Sequence, residues 1–239
     1  GVQRFYLTGL WNTVKAAALA GAIALSFGLL LALARMAQHP LTRIVAGAYV
    51  ETFRAVPLVL LMFFALLALP KLGVDFVSPY WAVVLGLVAY NSAVFAEIFR
   101  AGIRALPRGQ SEAAQSIGLR YWQSMRFVIV PQALRAMIPA LVAQLVVLLK
   151  DTSLGALLAY EELLRRGQIT GEFARNPLQA LFVAGMLYVP IVFALNRFAR
   201  WLEQRQRRGK VVIVPDEKAH ALLDAQISQS QPSAVTDLA

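Results

Sequence analysis

Residues 106–135 read LPRGQSEAAQSIGLRYWQSMRFVIVPQALR, a charged stretch between two long apolar runs. Arg108, Glu112, Arg120 and Arg126 fall inside it. Each such charge would cost about 2.5–3.5 kcal/mol at the centre of a bilayer. The stretch therefore cannot cross lipid, and we expect it to lie at a membrane surface.

A short amphipathic helix, within about residues 107–124, is the simplest structure for the first part of this stretch. Pro107 can open a helix, and Ala113, Ala114 and Ile117 then fall on one side of it. Gly118 can end the helix or let another backbone approach closely. Such a slim helix can fit a groove in a partner protein, although amphipathicity alone more often indicates a helix that only anchors its loop.

Five apolar runs lie around this segment, at about residues 10–34, 47–69, 80–100, 131–149 and 178–200. Each approaches the roughly 20 apolar helical residues that cross a bilayer core of about 30 Å. Only 15% of the residues are charged, against roughly 25% in soluble domains. We therefore predict an all-α, polytopic transmembrane bundle of about five spans, in which Pro131 can interrupt the helix where the fourth run begins.

The bundle is expected to occupy residues 1–203. Residues 204–239 lose the apolar density and become rich in Ser and Gln, which indicates a cytoplasmic tail that is partly disordered. Because the sequence begins with Gly1 rather than Met, we expect that a leading segment is missing or was trimmed.

Basic residues are concentrated in the regions that follow the first, third and fifth runs. They are Arg35 and Arg43; Arg100, Arg104, Arg108, Arg120 and Arg126; and Arg197, Arg200, Arg205, Arg207, Arg208 and Lys210. The positive-inside rule places these regions in the cytoplasm, with the visible N-terminus outside and the C-terminus inside. The net charge of +10 then reflects membrane orientation, and no nucleic acid is expected as a partner. With no cysteine in the chain, disulfides and cysteine-ligated metals are excluded.

The surface segment also carries a spaced motif. It consists of Glu112-Ala113-Ala114, Gly118 six residues after the Glu, and then Val128, Val130 and Pro131. This pattern resembles the EAA loop of bacterial ABC-importer permeases, with Val replacing the usual Ile and Leu.

Further stretches are similar to the polar amino-acid permeases of that superfamily, over about residues 9–203. They are Glu51-Thr-Phe-Arg54-Ala-Val-Pro57-Leu, Ala89-Tyr90, Glu97-Ile-Phe-Arg100-Ala-Gly102-Ile, Gly109-Gln110 and Leu149-Lys150-Asp151-Thr152-Ser153-Leu154. Ala143 departs from the pattern, because the family often has Asn or Ser there.

The resemblance implies a type I ABC-importer permease fold in a bacterial inner membrane, with a cytoplasmic coupling helix. It implies a second permease subunit, identical or similar, two ATPase subunits and an external solute-binding protein. The expected substrate is a polar amino acid, and the run from Leu158 to Leu164 looks somewhat like that of glutamate permeases. The sequence has no Walker motif, so this chain is expected to be no enzyme and to hold no cofactor or metal, with ATP and Mg²⁺ bound by the partner ATPase.

Two groups of residues are candidates for function. The residues expected to couple to the ATPase, on the strength of the resemblance, are Gly109, Gln110, Glu112, Ala113, Ala114, Gly118 and Pro131. The candidates for the substrate path, polar groups in or near the spans, are Glu51, Arg54, Asn91, Glu97, Arg100, Gln144, Lys150 and Asp151. The pairs Glu51–Arg54 and Glu97–Arg100 have the spacing of ion pairs and can equally be structural clamps, while Asn91 and Gln144 can equally bond neighbouring helices.

Two other classes of protein fit parts of the sequence. A proton- or ion-coupled secondary carrier would also use intramembrane carboxylates such as Glu97, but it gives no reason for an EAA loop. A membrane-embedded hydrolase would need a metal cluster or an activated nucleophile, and the spans carry neither pattern.

Overall fold

The computed structural model describes residues 1–75 and 77–207, and this part of the chain contains α-helices and no β-strand. The helices are α1 (Val2–Arg35), α2 (Pro40–Ala55), α3 (Leu58–Leu67), α4 (Pro79–Arg104), α5 (Arg108–Ser116), α6 (Tyr121–Ser124), α7 (Val130–Asp151), α8 (Leu163–Phe173) and α9 (Pro177–Arg207). Single-turn 3₁₀ helix occurs at Pro70–Leu72 and longer 3₁₀ helix at Thr152–Leu158. The prediction of an all-α fold is confirmed.

Four helical stretches in the described residues are long and apolar enough to cross a membrane. They are Val2–Arg35, Pro79–Arg104, Tyr121–Leu158 and Pro177–Leu202. α2 and α3 pass the same test only together, as a bent pair, so the described residues hold four spans, or five if this pair is one broken span. The prediction of about five spans agrees with this range.

The second span is not the continuous helix that the apolar run at 47–69 suggested. α2 and α3 meet at an angle of 100°, and the backbone of Val56 and Pro57 between them is extended, with ψ near 130° at both residues. Pro57 lacks the N–H that would continue the helix, and its ring disfavours helical geometry at the residue before it. The span is therefore broken at Pro57.

α1 and α4 form the centre of the bundle, where small residues allow the two backbones to approach closely. Ala20, Ala24 and Gly28 are buried along one side of α1. A Cβ added at Gly28 would lie 2.7 Å from the Cβ of Phe95 and 2.9 Å from the carbonyl oxygen of Ser92, both on α4. Close approach through small residues is the usual way in which membrane helices gain packing contacts.

Pro131 does not end the helical run that leads into α7. A π-helical turn spans Met125–Ile129 and closes with a bond from the Val130 N–H to the Met125 carbonyl. A proline within a helix removes one backbone hydrogen bond and clashes with the carbonyl four residues earlier. The wider π turn precedes the proline, so the run continues without a break.

α8 is fixed to the bundle by a buried carboxylate at its N-terminus. Both oxygens of Glu162 accept backbone N–H bonds, from Leu164 at 2.8 Å and from Arg165 at 2.7 Å. The hydroxyl of Tyr188 on α9 donates to the same carboxylate at 2.7 Å. Burial raises the pKa of the Glu162 carboxyl above its usual value, and these hydrogen bonds oppose that shift.

Residues 1–203 form one compact unit. The predicted cytoplasmic tail is residues 204–239. Its residues 204–207 are the end of α9, and residues 208–239 lie outside the described residues.

Candidate functional site

The first part of the surface segment forms α5, and the C-terminus of this helix has a defined cap. The N–H of Gly118 donates to the Gln115 carbonyl and the N–H of Leu119 donates to the Ala114 carbonyl. This pair of bonds is the Schellman motif, which requires a left-handed residue after the helix. Gly118 supplies it, with φ of +83°. Of the two roles predicted for Gly118, ending the helix is therefore the one observed.

α5 keeps most of its surface free. Ala114 is buried against the bundle, whereas Glu112, Ala113 and Ile117 are exposed, Ile117 by 75%. The three residues expected to share one apolar side are thus divided, because Ala114 packs against the bundle while Ala113 and Ile117 are exposed. Gly109 is also exposed, and a Cβ added there would meet nothing within 4 Å. A narrow face with an acidic, a small and an apolar residue is left open.

Two hydrogen bonds connect the segment around α5 to the membrane helices. The Gln132 amide at the start of α7 donates to the side-chain oxygen of Gln110 at 3.0 Å. The Tyr121 hydroxyl donates to the Met36 carbonyl, directly after α1, at 2.8 Å. Pro131 lies exposed in the first turn of α7. Movement of the segment around α5 would therefore displace the C-terminal end of α1 and the N-terminal end of α7.

A cavity of about 430 Å³ lies at the break in the second span, between α2, α3, α4 and α7. The polar side chains that line it are Arg54, Tyr90, Gln144 and Asp151. Val56, Pro57 and Leu58 contribute the broken backbone. This volume falls within the usual range for small-molecule sites, about 300–1,000 Å³.

The break leaves backbone donors unpaired at the start of α3, where Leu58 lines this cavity. The N–H groups of Leu60 and Leu61 donate to the Pro57 carbonyl, whereas no backbone acceptor in the described part of the chain pairs with those of Leu58 and Val59. A helix N-terminus also carries a partial positive charge. The cavity thus offers hydrogen-bond donors for an anion at one wall and the carboxylate of Asp151 for a cation.

Asn91 and Gln144 bond each other, and Gln144 lines this cavity. The Gln144 amide donates to the Asn91 side-chain oxygen at 2.9 Å, and the Asn91 amide donates to the Leu87 carbonyl at 3.0 Å. Asn91 is fully buried, whereas Gln144 is half-buried and lines the cavity. Of the two predicted roles, the bond between helices is observed for both residues, and Gln144 also faces the cavity.

Four charged residues form a network where α1, α2 and α4 meet. Glu97 contacts Arg35 of α1 and also Arg100, 2.5 Å away on its own helix. Arg35 reaches Glu51 at 3.5 Å. The predicted Glu97–Arg100 pair is therefore observed. Glu51 does not pair with Arg54 as its spacing suggested, because Arg35 arrives from α1 as its partner while Arg54 lines the cavity.

Lys150 is separated from the other candidates for the substrate path. It lines a second cavity of about 530 Å³, with Ser153, Tyr188, Phe193 and Asn196. The adjacent Asp151 lines the cavity at the break instead. Among the described residues, no group of three or more His, Cys, Asp or Glu could hold a metal ion.

The sequence did not single out the backbone at Val56–Leu58 as part of a site, although Pro57 within an apolar run signals a break. In the sequence, Tyr90 stands out only as part of the Ala89-Tyr90 motif. That it lines the same cavity as Gln144 depends on the packing of α4 against α7.

Known proteins are similar to this chain in both sequence and fold. The family described as "Binding-protein-dependent transport system inner membrane component" matches residues 24–208. The chain is 37% identical over 225 residues to the glutamate transport system permease protein GluD of Corynebacterium glutamicum, covering 91% of this chain and 82% of that protein. It is 36% identical over 208 residues to the probable glutamine ABC transporter permease protein GlnP of Bacillus subtilis, covering 84% of this chain and 95% of that protein.

Solved structures give the same result. A chain of an amino acid ABC transporter, crystallised with histidines, superimposes with a TM-score of 0.79 at 30% identity, covering 85% of this chain and 94% of that one. A chain of the MetNI methionine ABC transporter in an inward-facing conformation gives a TM-score of 0.71 at 21% identity, covering 83% and 96% of the two chains, which shows the shared fold. The resemblance drawn from the surface motif is thereby confirmed: this chain belongs to the family of inner-membrane permease components of binding-protein-dependent ABC transport systems.

Proposed function

We propose that this chain is the permease subunit of an ATP-driven importer of polar amino acids. The observation that carries this proposal is the cavity at the break between α2 and α3, which combines unpaired backbone donors with the Asp151 carboxylate. Related chains are named as permeases for glutamate, glutamine and arginine. The proposal agrees with family membership, whereas a proton- or ion-coupled carrier does not.

An amino acid carries both charges that the cavity can bind. Its α-carboxylate would accept bonds from the N–H groups of Leu58 and Val59 at the start of α3, as anionic groups do at half-helix ends in other transporters. Its ammonium group would donate to Asp151. Arg54, exposed and lining the same cavity, would bind a second carboxylate, which favours an acidic substrate such as glutamate.

The coupling partner in this proposal is an ATPase that binds the free face of α5. The proposed contact residues are Gly109, Gln110, Glu112, Ala113 and Gly118, with Pro131 at the base of α7. Ala114, predicted with them, is buried against the bundle and would instead hold α5 in place. Two permease subunits, two ATPase subunits that hold ATP and Mg²⁺, and an external solute-binding protein complete the assembly. α5 and the C-terminus would then face the cytoplasm, and α8 the outside.

Movement can reach the cavity through α7. Its first turn is bonded to α5 through Gln132 and Gln110, and its last turns carry Gln144 and Asp151. Displacement of α5 would therefore move the wall of the cavity that α7 forms relative to the break at Pro57. Opening and closing of the substrate site would follow the nucleotide state of the ATPase.

Replacing Glu112 with Ala tests the coupling. In proteoliposomes that contain the whole transporter, we expect ATP-dependent uptake to fall roughly tenfold, the effect of losing one interface contact worth about 1.4 kcal/mol. The membrane insertion and thermal stability of the permease should not change, because Glu112 is exposed.

The matched control is Glu172→Ala, which removes another exposed carboxylate, on α8. It should leave uptake as in the unsubstituted transporter. Uptake that is normal in the Glu112→Ala transporter, with normal ATPase assembly, would reject the coupling role of α5. Uptake that proceeds without ATP and without an ATPase would reject the proposed function.

A further inference from the structure

A second polar cavity lies on the α5 side of the bundle and is not part of the proposed substrate site. It has a volume of about 370 Å³, and its charged lining residues are Arg35, Arg43, Arg100, Arg104 and Glu51. These residues come from the C-terminal ends of α1 and α4 and from α2. Three separate elements therefore direct positive charge into one space.

The charges in this cavity do not cancel. Glu97 and Glu51 neutralise part of the charge of Arg35 and Arg100. Arg43 and Arg104 are exposed, and no carboxylate among the described residues forms an ion pair with either. Four guanidinium groups against two carboxylates leave a net charge of +2, so an anion is the complementary ligand. Arginine is suited to phosphate because its planar fork can donate two parallel hydrogen bonds.

The cavity lies where the surface of the lipid is expected. Arg35 and Arg104 are the last residues of α1 and α4, two helices apolar enough to cross the membrane. Ile44 lines the cavity. The side chains of Leu41, Ile44 and Val45 on α2 are each exposed by at least 60%. Exposed apolar side chains next to clustered arginines match a lipid, which has acyl chains next to a charged headgroup.

We propose that this cavity binds the phosphate headgroup of an anionic phospholipid from the leaflet that faces α5. Basic pockets between membrane helices on the cytoplasmic side are known to bind such headgroups. The lipid phosphate lies between Arg43 and Arg104, whose charges are unpaired, and its chains cover the apolar side chains of α2. The bound lipid joins the ends of α1, α2 and α4 independently of the substrate that is carried.

Lipid binding to the purified full chain tests this proposal. Native mass spectrometry would follow titrations with phosphatidylglycerol and with phosphatidylcholine of the same acyl composition, for the unsubstituted chain and for the Arg43→Gln, Arg104→Gln variant. We expect the unsubstituted chain to prefer phosphatidylglycerol. The double variant should bind it on the order of 10- to 30-fold more weakly, because the loss of each basic residue near an anionic lipid surface weakens binding several-fold. Binding of phosphatidylcholine should not change.

The matched control removes the same charge elsewhere. Arg126 and Arg135 are also exposed, and neither lines the cavity, so the Arg126→Gln, Arg135→Gln variant should keep the preference. Thermal melting in detergent checks that each variant is folded. If the double variant does not fold, the salt dependence of lipid binding to the unsubstituted chain tests the proposal instead. Added salt should weaken the binding of phosphatidylglycerol and leave that of phosphatidylcholine unchanged.

Four results would overturn the proposal. They are an equal affinity of the unsubstituted chain for both lipids, an equal loss in the two double variants, binding of inorganic phosphate that displaces phosphatidylglycerol, and weakened ATPase assembly in the Arg43→Gln, Arg104→Gln variant with lipid binding intact. The third result would assign the cavity to free phosphate, and the fourth would assign its arginines to the partner protein.

Discussion

Asp151 lines the proposed substrate cavity as its acidic member, at the last position of α7. Replacement with Asn keeps the shape of the side chain and removes the charge that would bind a substrate ammonium group. A hydrogen bond to a charged group contributes about 1.5–3 kcal/mol, so we expect the Asp151→Asn variant to bind amino acid roughly 10- to 100-fold more weakly. Binding of radiolabelled substrate to the purified permease–ATPase complex, without the solute-binding protein, measures this directly.

Glu172 provides the comparison for Asp151, because its carboxylate is exposed on α8 outside the cavity. The Glu172→Gln variant should bind substrate as the unsubstituted complex does. Equal binding by the Asp151→Asn complex would show that the cavity at the break is not where the ammonium group is held.

Gly118 ends α5 in the left-handed region, with φ of +83°, and open space surrounds the position of an added Cβ. The Gly118→Ala substitution would therefore meet no steric contact, only the backbone cost of about 1–2 kcal/mol for a side chain in this conformation. We expect the end of α5 to fray and ATP-driven uptake to fall, with the thermal stability of the bundle unchanged. The Gly118→Asn variant, which tolerates the left-handed region better, should retain more uptake than Gly118→Ala, and the reverse order would contradict this explanation.

At the scale of elements, the contact between α1 and α4 depends on Gly28. A methyl group at this position would lie 2.7 Å from the Cβ of Phe95 and 2.9 Å from the carbonyl oxygen of Ser92. Because one of these atoms is backbone, the helices would have to separate. Overpacking of this kind costs about 1–3 kcal/mol, so the Gly28→Ala variant should melt at a lower temperature in detergent.

Gly185 on α9 is the matched position, since a Cβ built there meets nothing within 4 Å. The melting temperature of the Gly185→Ala variant should equal that of the unsubstituted protein or lie slightly above it, because alanine favours the helix more than glycine does. A similar loss in both variants would mean that the helical backbone, and not the contact with α4, responds to the substitution.

The sequence predicted the spans well because hydropathy over about 20 residues depends on local composition alone. It predicted one continuous span at 47–69 because that measure ignores the missing N–H of Pro57. α8 could not be recognised as a helix from its composition, because its apolar pattern is short and is interrupted by Arg165, Arg166 and Glu172. Its start depends on the buried cap by Glu162, whose third partner, Tyr188, comes from α9.

The candidate site was predictable to a similar degree. Single polar residues in apolar runs, such as Asn91 and Gln144, stand out because lipid penalises them. Their bond to each other, and the separation of Lys150 from Asp151 into two cavities, depend on how α4, α7 and α9 pack. Long-range packing of this kind has no local signal.

At the scale of the whole molecule, the orientation in the membrane assigns a side to each site. α5 precedes α7 and α8 follows it, and a helix with the 22 residues of α7 is about 33 Å long. That length matches a bilayer core of about 30 Å, so α5 and α8 should lie on opposite sides. The basic residues around α5 predict that its side is the cytoplasm.

The absence of cysteine from all 239 residues makes this orientation directly testable. Single cysteines would be placed at Gln115, exposed on α5, and at Phe173, which is 92% exposed at the end of α8. In right-side-out membrane vesicles, an impermeant maleimide should label the Phe173→Cys variant at once and the Gln115→Cys variant only after permeabilisation. Inside-out vesicles should reverse the pattern. Labelling of the Gln115→Cys variant in intact right-side-out vesicles would put α5 outside the cell, where no ATPase could reach it, and both the coupling role of Glu112 and the inner-leaflet lipid at Arg43 and Arg104 would have to be abandoned.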